Sequence, residues 1–346
     1  MSLLHIENMS CAYDKKNVVK NVSFSIDIGQ GTCLLGPSGC GKTTILRSIA
    51  GFEAITSGQI TLRNSVMSTP SKMQPPEARK IGMVFQDYAL FPHLTNADNI
   101  AFGLMKYTKQ EKQQIVHDML ALVELSDVAE KYPHEISGGQ QHRIALARAM
   151  APKPDLILLD EPFSNLDANL RKHLNQQVKN ILKLNGTAFL MVTHDQEEAF
   201  AMADYVGVME RGNLLQWDTP FNLYHKPTSL TVADFIGEGQ ILDAKVISSN
   251  CIDSPLGHIC SAMTLAEPTG STIKFLLRPD DVINIPDSRL KAEVIDKSFK
   301  GAVTLYQLKF GDNLSFQALF PSHQDYTIGD SVGFGIKADH LVIFAA

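Results

Sequence analysis

Gly36-Pro37-Ser38-Gly39-Cys40-Gly41-Lys42-Thr43-Thr44 lies between an apolar run, Thr32-Cys33-Leu34-Leu35, and a helical pattern, Thr44-Ile45-Leu46-Arg47-Ser48-Ile49. Strand, glycine-rich loop and helix in that order make a P-loop in the context it requires. The glycines let backbone approach phosphate closely, and successive N–H groups point into one concavity. The helix N-terminus behind the loop adds partial positive charge. Lys42 is expected to reach the β- and γ-phosphates of a nucleotide, and the Thr43 hydroxyl to hold Mg²⁺.

The chain of 346 residues is long enough for two domains, each with its own core. A formal net charge of −6 argues against a nucleic-acid binder, which usually carries a basic face. No apolar run approaches the length of a membrane-spanning helix, and the N-terminus lacks the pattern of a signal peptide. The five cysteines, Cys11, Cys33, Cys40, Cys251 and Cys260, form no CxxC pair. Neither zinc nor a disulfide framework is expected, and a reduced, cytosolic setting fits.

Residues 1 to about 31 read as strands with a turn at Lys15-Lys16-Asn17. Ser68 to Pro76 reads as a loop, and Ile81 to Phe85 as a short strand. Thr108 to Leu125 reads as an amphipathic surface helix with Ile115, Met119, Leu122 and Val123 on one face. Leu156-Ile157-Leu158-Leu159 and Ala188-Phe189-Leu190-Met191-Val192 are continuous apolar runs. Such runs imply strands buried on both faces of a parallel sheet. Polar residues follow each run, at the strand ends where open α/β sheets bind ligands. Composition shifts near Phe235-Ile236-Gly237-Glu238-Gly239; beyond it come short alternating strands, including 302–308 and 314–320 around a turn at Gly311-Asp312-Asn313. The expected organisation is a domain at 1–238, with a helical subdomain at about 87–150, and a small β-barrel or sandwich at 239–346.

A P-loop alone does not separate a kinase, a GTPase and a transport ATPase. Further motifs follow in order: Gln86 after a strand, Ile136-Ser137-Gly138-Gly139-Gln140 before a helix, Asp160-Glu161-Pro162, Ser164-Asn165-Leu166-Asp167, and Thr193-His194-Asp195. This set resembles the ATP-binding subunit of ATP-binding-cassette (ABC) importers over essentially the whole chain. The resemblance implies an α/β fold, a P-loop ABC ATPase domain with parallel-sheet core and helical subdomain, then a small all-β, oligonucleotide-fold-like regulatory domain.

It also implies an ATPase whose cofactors are ATP and Mg²⁺. Glu161 would polarise the attacking water, His194 would bond the γ-phosphate, Gln86 would sense it, and Lys42 would stabilise transition-state charge. Asp160 and Thr43 would hold Mg²⁺, with Gln86 touching the metal or the water. Gly36 through Thr44 would cradle the phosphates, and Tyr13 would stack on adenine. Ser137, Gly138, Gly139 and Gln140 would meet the nucleotide of a second copy, so that two chains sandwich two ATP molecules head to tail. No Asn-Lys-x-Asp guanine-recognition motif occurs. Phe91 and Pro92 are either contacts for a membrane permease or core residues. His142, where the family commonly has Gln, is either an inert surface residue or a pH-sensitive one near the subunit interface. Asn165 replaces a common Ala where subunits should meet.

The tail motif Leu277-Arg278-Pro279-Asp280-Asp281-Val282 matches the regulatory domain of importer ATPases. The junction at 235–239 and the short tail look most like ferric-ion importers. Sulfate, molybdate, polyamine and sugar importers share the rest, and a soluble non-transport ABC ATPase is the competing class. Implied partners are a second copy, permease subunits and, indirectly, a solute-binding protein, at the cytoplasmic face of the membrane.

Overall fold

The computed structural model describes residues 2–13, 16–164, 168–261, 264–337 and 340–345, with only the backbone at 168–170. The chain divides into two compact units, Met1–Pro220 and Phe221–Ala346. The division falls at 220/221. The reason is Arg278, whose guanidinium donates to the carbonyls of Tyr224, Gly237 and Glu238 and so ties the intervening segment to the second unit.

The first unit opens with a long antiparallel hairpin, β1 (Ser2–Tyr13) and β2 (Lys16–Asp27). Alternating burial along both strands leaves one face in the core. Next come β3 (Gly31–Leu35), α1 (Lys42–Ala50), β4 (Ser57–Leu62), β5 (Ser65–Thr69) and β6 (Lys72–Met73). β1, β2 and β4–β6 form one sheet in the order β2-β1-β4-β5-β6. The loop expected at 68–76 is therefore partly a hairpin: Thr69 pairs with Lys72 across Pro70-Ser71, a turn for which proline fixes the backbone in advance.

β7 (Ile81–Val84) precedes the helices α2 (Asn96–Ala101), α3 (Lys109–Leu122) and α4 (Gly138–Met150), which pack on one another. α3 starts at a Thr108–Glu111 capping box and buries Leu120, with Val123 just beyond its end. After α4 come β8 (Leu156–Asp160), α5 (Ala168–Leu184), β9 (Ala188–Thr193), α6 (Gln196–Met202), β10 (Tyr205–Glu210) and β11 (Asn213–Asp218). The central sheet runs β11-β10-β3-β9-β8-β7, parallel except for edge strand β11. β3 and β9 are buried throughout, as their continuous apolar runs require. The carboxyl ends of β3, β9, β8 and β7 thus lie side by side and deliver the P-loop, His194, Asp160-Glu161 and Gln86 to one edge.

The second unit begins with two short helices, α7 (Pro220–His225) and α8 (Leu230–Phe235). Ten strands follow: β12 (Gln240–Val246), β13 (Cys251–Ser254), β14 (Gly257–Cys260), β15 (Thr272–Leu277), β16 (Val282–Asn284), β17 (Lys291–Phe299), β18 (Val303–Phe310), β19 (Leu314–Pro321), β20 (Ser331–Ile336) and β21 (Val342–Ala345). They make two five-stranded antiparallel sheets, β14-β13-β12-β15-β21 and β16-β20-β17-β18-β19, around one apolar core.

A disulfide joins Cys251 and Cys260, against the expectation that none would form. The two residues stand directly opposite each other on β13 and β14, with Cα atoms 4.1 Å apart. Cross-strand pairing puts both side chains on one face within bonding reach, which their spacing in sequence does not reveal.

Candidate ATPase site

The P-loop joins β3 to α1, as the sequence requires. Gly36 sits so close to the Met209 carbonyl and the Cys40 side chain that a Cβ there would collide with both. Lys42 is almost fully buried, and its ammonium donates to the carbonyls of Gly36 (2.7 Å) and Pro37 (3.1 Å). The charge is held at the loop by its own backbone. The Sγ of buried Cys40 is 3.8 Å from the same ammonium.

Thr43 Oγ1 donates to Asp160 Oδ1 at 3.2 Å, joining the start of α1 to the end of β8. Burial pushes the Asp160 carboxyl up from the ordinary range, with the Thr43 hydrogen bond acting against it. A hydroxyl and a carboxylate this close are two hard oxygen donors, the type Mg²⁺ selects. The residues present fit that ion, and exposed Gln86, just past β7, would supply a third oxygen.

Glu161 has a φ of +42°, a left-handed conformation that costs a non-glycine residue energy. Its N–H donates to the Val192 carbonyl at 3.0 Å, which locks the turn onto β9. Its Oε2 lies 3.2 Å from His194 Nδ1. Glu161 is largely shielded while the His194 side chain is half exposed, so the pair opens toward solvent on one side. Behind His194, Thr193 Oγ1 donates to Glu198 Oε2 (2.6 Å), the Asp195 N–H donates to Thr193 Oγ1 (3.0 Å), and Arg171 pairs with Asp195 (2.9 Å). Asp195 also caps α6 by accepting from the Glu198 N–H. This network fixes the strand-to-helix turn that presents His194.

Tyr13 is 42% exposed and stands near Thr44 and Glu53. Burial is the first cause of its raised pKa. A partly exposed aromatic residue thus stands near the start of α1. Ser137 and Gln140 form a capping box: Ser137 Oγ accepts from the Gln140 N–H (3.3 Å) and Gln140 Oε1 accepts from the Ser137 N–H (2.9 Å). Ser137 and Gly138 are exposed, and nothing lies within 4 Å of the position a Gly138 Cβ would take. Among the described residues no hydrogen bond joins this helix start to the P-loop of the same chain. Lys42, Thr43, Asp160, Glu161 and His194 are thus brought together, whereas Ser137–Gln140 stand apart. Asn165, Leu166 and Asp167 lie outside the described residues.

Phe91 is half-buried, packed on Phe102 with ring centroids 4.3 Å apart and under Arg148, while Pro92 is exposed. Sequence reasoning missed Arg148, which donates to the carbonyls of Tyr88 (2.8 Å) and Ala89 (2.6 Å) just after Gln86. It also misjudged His142. This residue is 0% exposed, wedged between Tyr88 and Phe163, so the surface reading is wrong. A histidine in a helix that is polar on average gives no signal of burial; only the two aromatic residues two positions after Gln86 and Glu161 hint at a ring-lined slot.

Burial pushes the His142 pKa down to about 4, with Arg143 adding to the effect. The sign follows from proton linkage: the unfolded chain binds a proton that the folded chain refuses. The stability gained from neutral His142 is whole above about pH 6.5 and lost progressively as pH falls toward about 4. At that acidic limit the loss is on the order of 3 kcal/mol. His142→Gln is expected to remove this part of the acid sensitivity. Urea unfolding of both proteins at pH 7 and pH 4.5 measures it, and parallel losses in the two would refute it.

Residues 19–164 match the family model described as ABC transporter, and residues 275–344 match the one described as TOBE domain. Among solved structures, the chain is similar to the dimeric ATP-binding cassette MJ0796 in a post-hydrolysis state bound to ADP and Pi. The identity is 28% over 63% of this chain and 98% of that one, with a TM-score of 0.56. It is also similar to cbiO1 from Clostridium perfringens, part of the ABC transporter complex cbiONQ. There the identity is 27% over 64% of this chain and 90% of that one, with a TM-score of 0.60. The chain carries an ABC ATPase domain followed by a TOBE domain, and as an enzyme it is an ATPase.

Proposed function

We propose that this chain is the ATP-hydrolysing subunit of a membrane ABC importer, and that its solute is ferric iron. The observation that carries the importer reading is a hydrolytic edge with Lys42, Thr43, Asp160, Glu161 and His194 in one chain with a TOBE domain. Among the described residues no helix is long and apolar enough to cross a membrane; in the proposed assembly separate permease subunits supply the pore. The peripheral place at the cytoplasmic face follows from that division. The iron reading rests on the junction at 235–239.

In the proposed reaction, Lys42 leaves the Gly36 and Pro37 carbonyls to bond the β- and γ-phosphates. Mg²⁺, held at Thr43 and Asp160 with Gln86 beside it, would neutralise phosphate charge. Glu161 accepts a proton from the attacking water as its oxygen bonds to the γ-phosphorus, and ADP leaves with the electron pair of the broken P–O bond. His194 orders the γ-phosphate opposite that carboxylate. In the proposed dimer the exposed Ser137 helix start completes the site of a second copy. ATP then favours closure of two chains and hydrolysis favours reopening. Coupling to the permease requires ATP to bind the closed state more tightly than the open one.

The test is the ATPase rate of the chain reconstituted with its permease. Ferric-loaded binding protein is added first, then sulfate-, sugar- and polyamine-loaded ones. Stimulation by the ferric form alone supports both readings. Stimulation by another loaded protein keeps the importer and discards iron. Basal hydrolysis that none of them stimulates overturns the importer reading.

A further inference from the structure

His142 lies on the helix that Ser137 caps, with its ring held between two others. The Tyr88 ring is 5.4 Å away and tilted by 49°; the Phe163 ring is 5.1 Å away and edge-on at 70°. Neither ring nitrogen has a hydrogen-bond partner in the protein, and neither has the Tyr88 hydroxyl. What His142 presents to both neighbours is the shape of its ring.

The two rings it touches belong to functional loops. Tyr88 follows Gln86 by two residues, and a tight turn joins them, with the Tyr88 N–H donating to the Phe85 carbonyl at 2.9 Å. Phe163 follows Glu161 by two residues in a second tight turn, where the Ser164 N–H and hydroxyl both donate to the Glu161 carbonyl, at 3.2 and 3.0 Å. Tyr88, Ala89 and Glu161 all have left-handed φ values, +61°, +43° and +42°. Non-glycine residues persist there only when their surroundings hold them. Arg148, on the same helix, grips the carbonyls of Tyr88 and Ala89. One helix thus clamps both strained loops, and its His142 lies against both rings.

We propose that His142 is a positioning residue of the ATPase, whose ring keys the loops of Gln86 and Glu161 to the helix that begins at Ser137. Movement of that helix then moves both loops together. The inference rests on the roles given above to Gln86 and Glu161. Truncation at 142 frees the two rings and lets the strained loops relax. It leaves the P-loop and Tyr13 untouched, so chemistry suffers and nucleotide binding does not.

The experiment compares steady-state ATP hydrolysis by the full-length chain with that of His142→Ala, His142→Gln and Glu161→Gln. His142→Ala is expected to lower kcat by about tenfold or more with the KM for ATP within about twofold. His142→Gln, nearly as long and as bulky, is expected to restore kcat to within about threefold. Tyr88→Ala combined with His142→Ala should be little worse than the more damaging single change, because the two act through one contact. Circular dichroism sets the folded fraction of each variant, and His142→Asn replaces the alanine variant if that one does not fold. Wild-type kcat in the folded truncation variant overturns the proposal. So does a matching rise in KM, or a glutamine variant as impaired as the alanine one. Full activity in Glu161→Gln overturns the underlying reading instead, so the two failures are told apart.

Discussion

Glu161→Gln is expected to lower the ATP hydrolysis rate by about 10²–10⁴-fold while ATP still binds, the range for loss of a positioned general base. Gln has the same length as Glu and can keep a hydrogen bond with His194, 3.2 Å from the present carboxylate. It can follow the same left-handed backbone, since the Glu161 N–H is tied to Val192. What it cannot do is accept a proton from water. The P-loop contacts of Lys42 and the Thr43–Asp160 link are untouched, so nucleotide affinity should change by less than about threefold. Single-turnover hydrolysis and equilibrium ATP binding, measured side by side, separate the two effects. A variant that hydrolyses ATP within tenfold of wild type would remove Glu161 from the chemistry.

The second large effect belongs to Arg79, which is 1% exposed and has no carboxylate partner among the described residues. Its guanidinium donates to the carbonyls of Ser48 (2.9 Å), Ile49 (2.8 Å) and Gln74 (2.8 Å) and to the Ser68 hydroxyl (2.8 Å). Ser48 and Ile49 end α1, the helix behind the P-loop. A cation there meets the negative end of the helix dipole and adds a donor to the last carbonyls, of which Ser48 otherwise receives only the Gly51 N–H at 3.3 Å. Gly51 makes room for it, because a Cβ at 51 would lie 2.5 Å from Arg79 Nε. Arg79→Ala should destabilise the first unit by about 3–5 kcal/mol, through a cavity and several orphaned carbonyls. Lys keeps the charge but lacks the fork, so Arg79→Lys should cost roughly half as much. Trp217, the only tryptophan, stacks on Phe24 in this unit and reports its urea unfolding. A shift below about 1 kcal/mol for the alanine variant would show that the clamp is unimportant.

The sheet edge that carries Lys42, Asp160, Glu161 and His194 was legible in the sequence because each part carries a local signal. Leu156–Leu159 and Ala188–Val192 announce buried strands by their continuity, and the polar residues at their ends must then fall on one sheet edge. The P-loop carries its own backbone requirements. The features that escaped notice depend on contacts distant in sequence. Arg79 stands in Pro76-Glu77-Ala78-Arg79-Lys80, which reads as a solvated charged stretch, and only the end of α1 explains its burial. His142 sits in a helix where its neighbours Gln141 and Arg143 suggest solvent, and its slot is built by Tyr88 and Phe163. The cysteines at 251 and 260 meet only because the β13–β14 register sets them opposite each other. The hairpin inside 68–76 is too short for any periodicity to show.

The placement of the cysteines makes the chain addressable by thiol chemistry without mutagenesis. Cys11, Cys33 and Cys40 are buried, and burial raises the pKa of Cys11 and Cys33, so at neutral pH these two are protonated as well as shielded. The remaining pair is bridged at the surface of the second unit, with Cys260 exposed. A maleimide dye added to the untreated native protein should find little to react with. After mild reduction it should attach to the edge hairpin alone, placing a fluorophore or spin label on the second unit while the buried thiols of the first unit stay unmarked.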